Sequence, residues 1–107
     1  MDVITLCGST RFKDEFISEQ VRLTLEGNVV ISVGLFGHTD FPDYDWERDT
    51  SELKRMLDDM HFQKIRMADG IHVINVGGYI GESTQRELEY ARDLGKTITY
   101  LEYEDVI

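Results

Sequence analysis

The stretch Ile71-His72-Val73-Ile74-Asn75-Val76, then Gly77-Gly78-Tyr79-Ile80-Gly81-Glu82, then Ser83-Thr84-Gln85-Arg86-Glu87-Leu88-Glu89-Tyr90-Ala91-Arg92-Asp93-Leu94, decides the fold class. An apolar run, a glycine-rich turn and an amphipathic segment read as strand, loop and helix. A run this apolar suits a strand buried on both faces of a parallel sheet. Ser83 or Thr84 is the expected helix cap, Gly95 ends the helix, and residues 97–101 form the next strand. The same alternation extends upstream. Residues 3–7 form a strand that stops at Gly8-Ser9. Residues 12–26 form a helix with Phe12, Phe16, Gln20 and Leu23 on one side, and Gly27-Asn28 ends it. Residues 29–33, rich in β-branched side chains, are a second buried strand. Residues 34–46 are a loop carrying Phe36, His38, Phe41, Tyr44 and Trp46. Asp49 or Thr50 caps a long helix that runs to about Ala68 and sets Leu53, Met56, Leu57, Met60 and Ala68 on one stripe. The order β-α-β-α-β-α-β predicts a single α/β domain over residues 1–107, with a parallel sheet of about four strands between helices.

Composition agrees. The chain is 41% apolar and 30% charged, with one proline, as expected of one folded soluble domain. No apolar run approaches the ~20 residues of a membrane span, and the first residues read as a strand rather than a signal peptide. Cys7 is the only cysteine, which fits a reducing, cytoplasmic setting and excludes an internal disulfide. The net charge of −10 argues against polymeric nucleic acid as a partner. A bound phosphate would need a local device. Histidine spacing and the single cysteine predict no metal site, and no cofactor motif is present.

In an open α/β sheet, ligands bind beyond the carboxyl ends of the strands. Two loops there carry chemistry. Gly8-Ser9-Thr10-Arg11 combines a turn, two hydroxyls and a cation at a helix start, with Lys13 close by. It suits an anion, or it is a tight turn with a hydroxyl cap. It is neither a P-loop nor a dinucleotide fingerprint. The second is Gly77 to Thr84 with its helix. At about 100° per residue, Thr84, Leu88, Tyr90, Ala91 and Leu94 share a stripe. Glu87 is the charged residue within it, one turn from the helix start. A carboxylate in apolar surroundings is costly, so it has either an internal partner or a task as nucleophile or base. His61 and Lys64 interrupt the long helix's apolar stripe. Both are expected toward the amino-terminal edge of the sheet, away from the ligand. The loop aromatics suit base stacking, a lid or a subunit contact equally.

Cys7-Gly8-Ser9-Thr10-Arg11, Ala68-Asp69-Gly70, and Gly78-Tyr79-Ile80-Gly81-Glu82-Ser83-Thr84-Gln85-Arg86-Glu87-Leu88-Glu89-Tyr90-Ala91, in that order, resemble the nucleoside 2-deoxyribosyltransferase superfamily, which includes the 2′-deoxynucleoside 5′-monophosphate N-glycosidases. The resemblance implies a flavodoxin-like three-layer fold. It implies a Glu87 nucleophile that attacks the anomeric carbon. It places Gly8, Ser9, Thr10, Arg11, Gly78, Tyr79, Gly81, Ser83 and Thr84 around the sugar and phosphate. The implied activity is hydrolysis or transfer at the N-glycosidic bond of a (deoxy)nucleoside or its 5′-monophosphate, in a homo-oligomer, with no cofactor. Two positions depart from the glycosidase pattern. Thr5 stands where a tyrosine is expected, and His61 where an acid is expected, with Asp58 and Asp59 nearby. Those departures favour the alternative, a non-catalytic nucleotide-binding or sensing domain of the same fold.

Overall fold

A computed structural model describes residues 1–46, 48 and 51–102. The elements are β1 (Val3–Gly8), α1 (Lys13–Leu25), β2 (Val29–Ile31), a one-turn α2 (Gly37–Asp40), α3 (Glu52–Met67), β3 (Gly70–Ile74), a 3₁₀ turn (Val76–Gly78), α4 (Glu82–Asp93) and β4 (Thr97–Tyr100). The four strands are all parallel, in the order β2-β1-β3-β4. That is the order in which a flavodoxin-like sheet begins.

β1 is central. It pairs with β2 from Val3↔Val29 to Thr5↔Ile31 and with β3 from Ile4↔Gly70 to Gly8↔Ile74. Both its edges are therefore paired, and with helices packed on both faces Thr5, Leu6 and Cys7 are completely buried. Alternation sends Leu6 and Ile74 toward α1, where they pack with Phe16 and Leu23. Cys7, Ile71 and Val73 face the other way, onto Ile65 of α3 and Leu88 and Ala91 of α4. The result is three layers, with α1 on one side and α3 and α4 on the other.

Several sequence expectations are corrected. β2 is a three-residue edge strand with Val29 exposed, because it has β1 alone as a neighbour. Glu19, rather than Gln20, lies on the buried face of α1. Its carboxylate accepts from Arg22 and pairs with His72 Nε2 at 2.8 Å, which satisfies it in the interior. α3 is capped by Ser51, whose hydroxyl accepts from the Lys54 amide. Asp49 and Thr50 lie outside the described residues. Its expected stripe is also rotated: Leu53, Met56 and Met60 are exposed, while His61 and Ile65 are buried. Polar bonds fix that rotation, since Lys64 donates to the Ser32 carbonyl and its own carbonyl accepts from Thr5 Oγ1. α4 starts from Gly81 rather than Ser83 or Thr84. The Ser83 hydroxyl accepts from Lys54 and Arg86 instead, and Thr84 is buried. Leu94 is exposed just past the end of α4.

Close strand approach sets one sharp requirement. A Cβ on Gly70 would stand 2.8 Å from the Thr97 carbonyl oxygen of β4. Gly70→Ala is expected to cost about 1–3 kcal/mol in urea unfolding. Gly34→Ala, which meets nothing within 4 Å, should stay within about 0.5 kcal/mol of wild type. Equal stabilities for the two variants would contradict this packing.

Candidate active site

A cavity of about 590 Å³ opens at the carboxyl ends of β1 and β2 and is closed by α3, the loop after β3 and the first turns of α4. Its position follows from the topology. The chain leaves β1 toward α1 on one face and leaves β3 toward α4 on the other, so a crevice forms between their loops.

Of the expected site residues, Gly8, Ser9, Thr10, Arg11, Tyr79, Gly81, Ser83, Thr84 and Glu87 line this cavity. Gly78 sits outside its wall, in the 3₁₀ turn, where its positive φ of 82° makes the turn possible. Gly8 earns its place by close approach: a Cβ there would stand 2.9 Å from the Ile74 carbonyl oxygen. Thr10 has a structural role. Its Oγ1 accepts from the His38 amide at 3.2 Å and lies 2.6 Å from His38 Nδ1. Thr39 Oγ1 donates to the Thr10 carbonyl, so α2 is pinned to the β1–α1 loop. The Arg11 guanidinium lies over the Tyr79 ring, 5.1 Å from its centroid, and Phe12 meets the same ring edge-on. Lys13 is off the cavity and bonded to Asp40 at 3.0 Å.

Sequence reading missed the charge balance of the wall. Among the described residues, Arg11, Lys54, Arg55, Lys64 and Arg86 line it, five of the chain's 11 Lys and Arg. Asp58, Glu82 and Glu87 are three of its 21 Asp and Glu. In a chain of net charge −10, the cavity is thus the cationic exception, suited to an anionic ligand. Lys54 organises this side. It bonds both Asp58 oxygens, at 2.9 and 3.1 Å, and reaches Ser83 Oγ at 3.4 Å, joining α3 to the start of α4. The i,i+4 spacing of Lys54 and Asp58 was the available signal, but it reads equally as a surface pair.

Trp46 contributes an aromatic wall. Its ring rests on Gly37, where a Cβ would come within 2.6 Å of the indole, and Tyr44 packs edge-on against it at 4.6 Å. Phe36 instead packs onto Phe16 in the core.

Glu87 is the chemical centre of the cavity. Its side chain is 12% exposed, and among the described residues its carboxyl group makes no hydrogen bond. Burial above all, and then the Asp58 carboxylate, push its pKa from 4.5 up to about 8, while Lys54 and Arg86 pull the other way. Its nearest partner is His61 Nε2 at 3.9 Å. His61 is therefore at the site, contrary to expectation. α3 has 16 residues and spans about 24 Å, longer than the five-residue β3 beside it, so its middle reaches the ligand edge. Burial and then Lys64 lower the His61 pKa to about 4, against smaller opposing effects of the Leu6 backbone and Asp58, so the ring is neutral. Its Nε2 also lies 3.4 Å from Cys7 Sγ. Thiol and carboxyl both face the same ring nitrogen, so they form no thiol–imidazole–carboxylate relay. Thr5, the other departure from the pattern, is fully buried and bonded to the Lys64 carbonyl, off the cavity.

No protein-family model, curated protein or solved structure matches this chain.

The raised pKa of Glu87 has a direct consequence for stability. The unfolded chain ionises this group near its ordinary 4.5 and the folded chain near 8, so folding stability contributed by the neutral form is present below pH 4.5 and lost as pH rises toward 8. In metal-free buffer, Glu87→Gln should match wild type at pH 4.5 and exceed its Tm at pH 8, by about 4–8 °C per kcal/mol recovered. A Tm difference that does not change with pH would contradict it.

Proposed function

We propose that this chain cleaves or exchanges the N-glycosidic bond of a (deoxy)nucleoside or its 5′-monophosphate, with Glu87 as nucleophile. One observation carries the reading: a largely buried carboxyl group that makes no hydrogen bond among the described residues projects into a cationic cavity at the ligand edge of the sheet. A carboxyl that merely completed an internal ion pair would be bonded to its partner. In the reaction, a Glu87 oxygen forms a bond to the anomeric carbon as the carbon–nitrogen bond breaks. The base leaves with a proton drawn from solvent, and a proton returns to solvent when the ester is next attacked. Water, or a second base, then attacks the glycosyl ester and restores the carboxylate. The free site disfavours the ionised form of Glu87, and the positive charge that develops on the sugar favours it. Binding energy is thereby directed at the transition state.

The cationic wall supports a phosphorylated substrate, with Arg11, Arg86 and Ser83 as phosphate contacts beside the first turn of α4. Trp46 supports stacking of the base. The exposed stripe of Leu53, Met56 and Met60, whose last member also lines the cavity, supports a homo-oligomer with the site near its interface. The single cysteine supports a cytoplasmic setting.

A second reading, a nucleotide-binding module without turnover, is favoured by Asp58. Its carboxylate is occupied by Lys54, so it is not free to activate water. Chromatographic detection of free base from deoxynucleosides and their 5′-monophosphates separates the two. The glycosidase reading expects release by wild type and a loss of at least about 100-fold in Glu87→Gln. Release undiminished in the variant would overturn the assignment of Glu87. Ligand-induced stabilisation of both proteins with no release would establish the binding module.

A further inference from the structure

Cys7, His61 and Glu87 come from three different elements, yet their donor atoms all lie within 4.8 Å of one another. Among the described residues, none of the three is hydrogen-bonded to a side chain outside the trio. Cys7 Sγ meets His61 Nε2 at 3.4 Å, and Glu87 approaches that nitrogen at 3.9 Å. Sequence spacing could not reveal this, because the three are 54 and 26 positions apart along the chain. We propose that these three residues form a binding site for a borderline-soft divalent ion of the zinc type, reached from the cavity.

The donor set is a thiolate, an imidazole and a carboxylate, a combination that selects zinc-like ions over magnesium or calcium. The geometry is close to what such an ion needs. Metal–ligand lengths of about 2.3 Å to sulfur and about 2.0–2.1 Å to nitrogen and oxygen put tetrahedral sulfur and nitrogen ligands about 3.6 Å apart, and nitrogen and oxygen about 3.4 Å apart. The sulfur–nitrogen pair is therefore already at ligand spacing, and the Glu87 carboxylate must close by about half an ångström or more. The histidine also suits the role: its Nε2 is the atom that approaches both Cys7 Sγ and the Glu87 carboxylate, and its ring is neutral, the form that ligates a metal. His61 and Glu87 line the cavity, so a fourth ligand, water or part of a bound anion, has room. On binding, the Cys7 thiol gives up its proton to solvent, as does Glu87 when protonated, while neutral His61 gives none.

This site is independent of the glycosidase reading. If both hold, an ion bound to Glu87 removes the attacking group, and zinc inhibits base release. The test is a cobalt titration of the reduced, chelator-treated wild-type protein, followed by absorbance. Cys7 is the only cysteine, so any thiolate-to-cobalt band reports on it alone. The expected result is one cobalt per chain, a near-ultraviolet thiolate band, visible bands of tetrahedral intensity, and displacement of all of them by one equivalent of zinc. Cys7→Ser should abolish the thiolate band, and His61→Asn should weaken binding at least tenfold. If either variant fails to fold, the wild-type spectrum decides by itself. Absence of binding, or binding without a thiolate band, would overturn the site whether or not the chain releases base.

Discussion

The burial of the Glu87 carboxyl group constrains the rest of the site. A charged or hydrogen-bonding group in such a place is costly unless something compensates it. Here the group sits one turn into α4 on the stripe that packs Leu88 and Ala91 onto the sheet, and Lys54 and Arg86 are near enough to offset part of its burial. The elements around it follow from that placement. α3 must be long enough to bring His61 and Lys54 alongside, and the turn after β3 must be tight enough to start α4 at the sheet edge. The glycines at 77 and 78, both at positive φ, make that turn.

The two sides of the sheet divide the work. On the α1 side, the buried His72–Glu19 pair is fully engaged: His72 joins Glu19 at 2.8 Å and Thr99 at 2.7 Å, and Arg22 completes the set. Satisfied groups of this kind hold a helix on a sheet and leave little chemistry available. On the other side, Cys7, His61 and Glu87 cluster below the cavity with loose mutual contacts. The contrast separates a paired, scaffold-like side from one whose clustered polar groups are left without close side-chain partners outside the cluster among the described residues.

Much of this was legible in the sequence, and the gaps have physical causes. Strand and helix order followed from periodicity, because each apolar run is interrupted by glycine. Glu87 was legible because a lone charge on an apolar stripe stands out on a helical wheel. Glu19 was not, since neighbouring positions 19 and 20 both fall near the edge of α1's apolar face and only the partner His72 decides between them. His61 was misplaced because a helix's length relative to its strands, not its own pattern, sets which edge its middle reaches. The cationic wall was invisible because Lys54, Arg55 and Arg86 converge only once α3 and α4 pack side by side.

The central claim is that Glu87 itself forms a bond to the sugar. Intact-protein mass spectrometry tests it directly, after brief exposure to a deoxynucleoside 5′-monophosphate whose sugar carries a 2′-fluorine to slow breakdown of the ester. The account predicts an added mass of one fluorodeoxyribosyl phosphate, located at Glu87 by peptide fragmentation and absent from Glu87→Gln. Release of base with no adduct at Glu87, or an adduct on another residue, would contradict it.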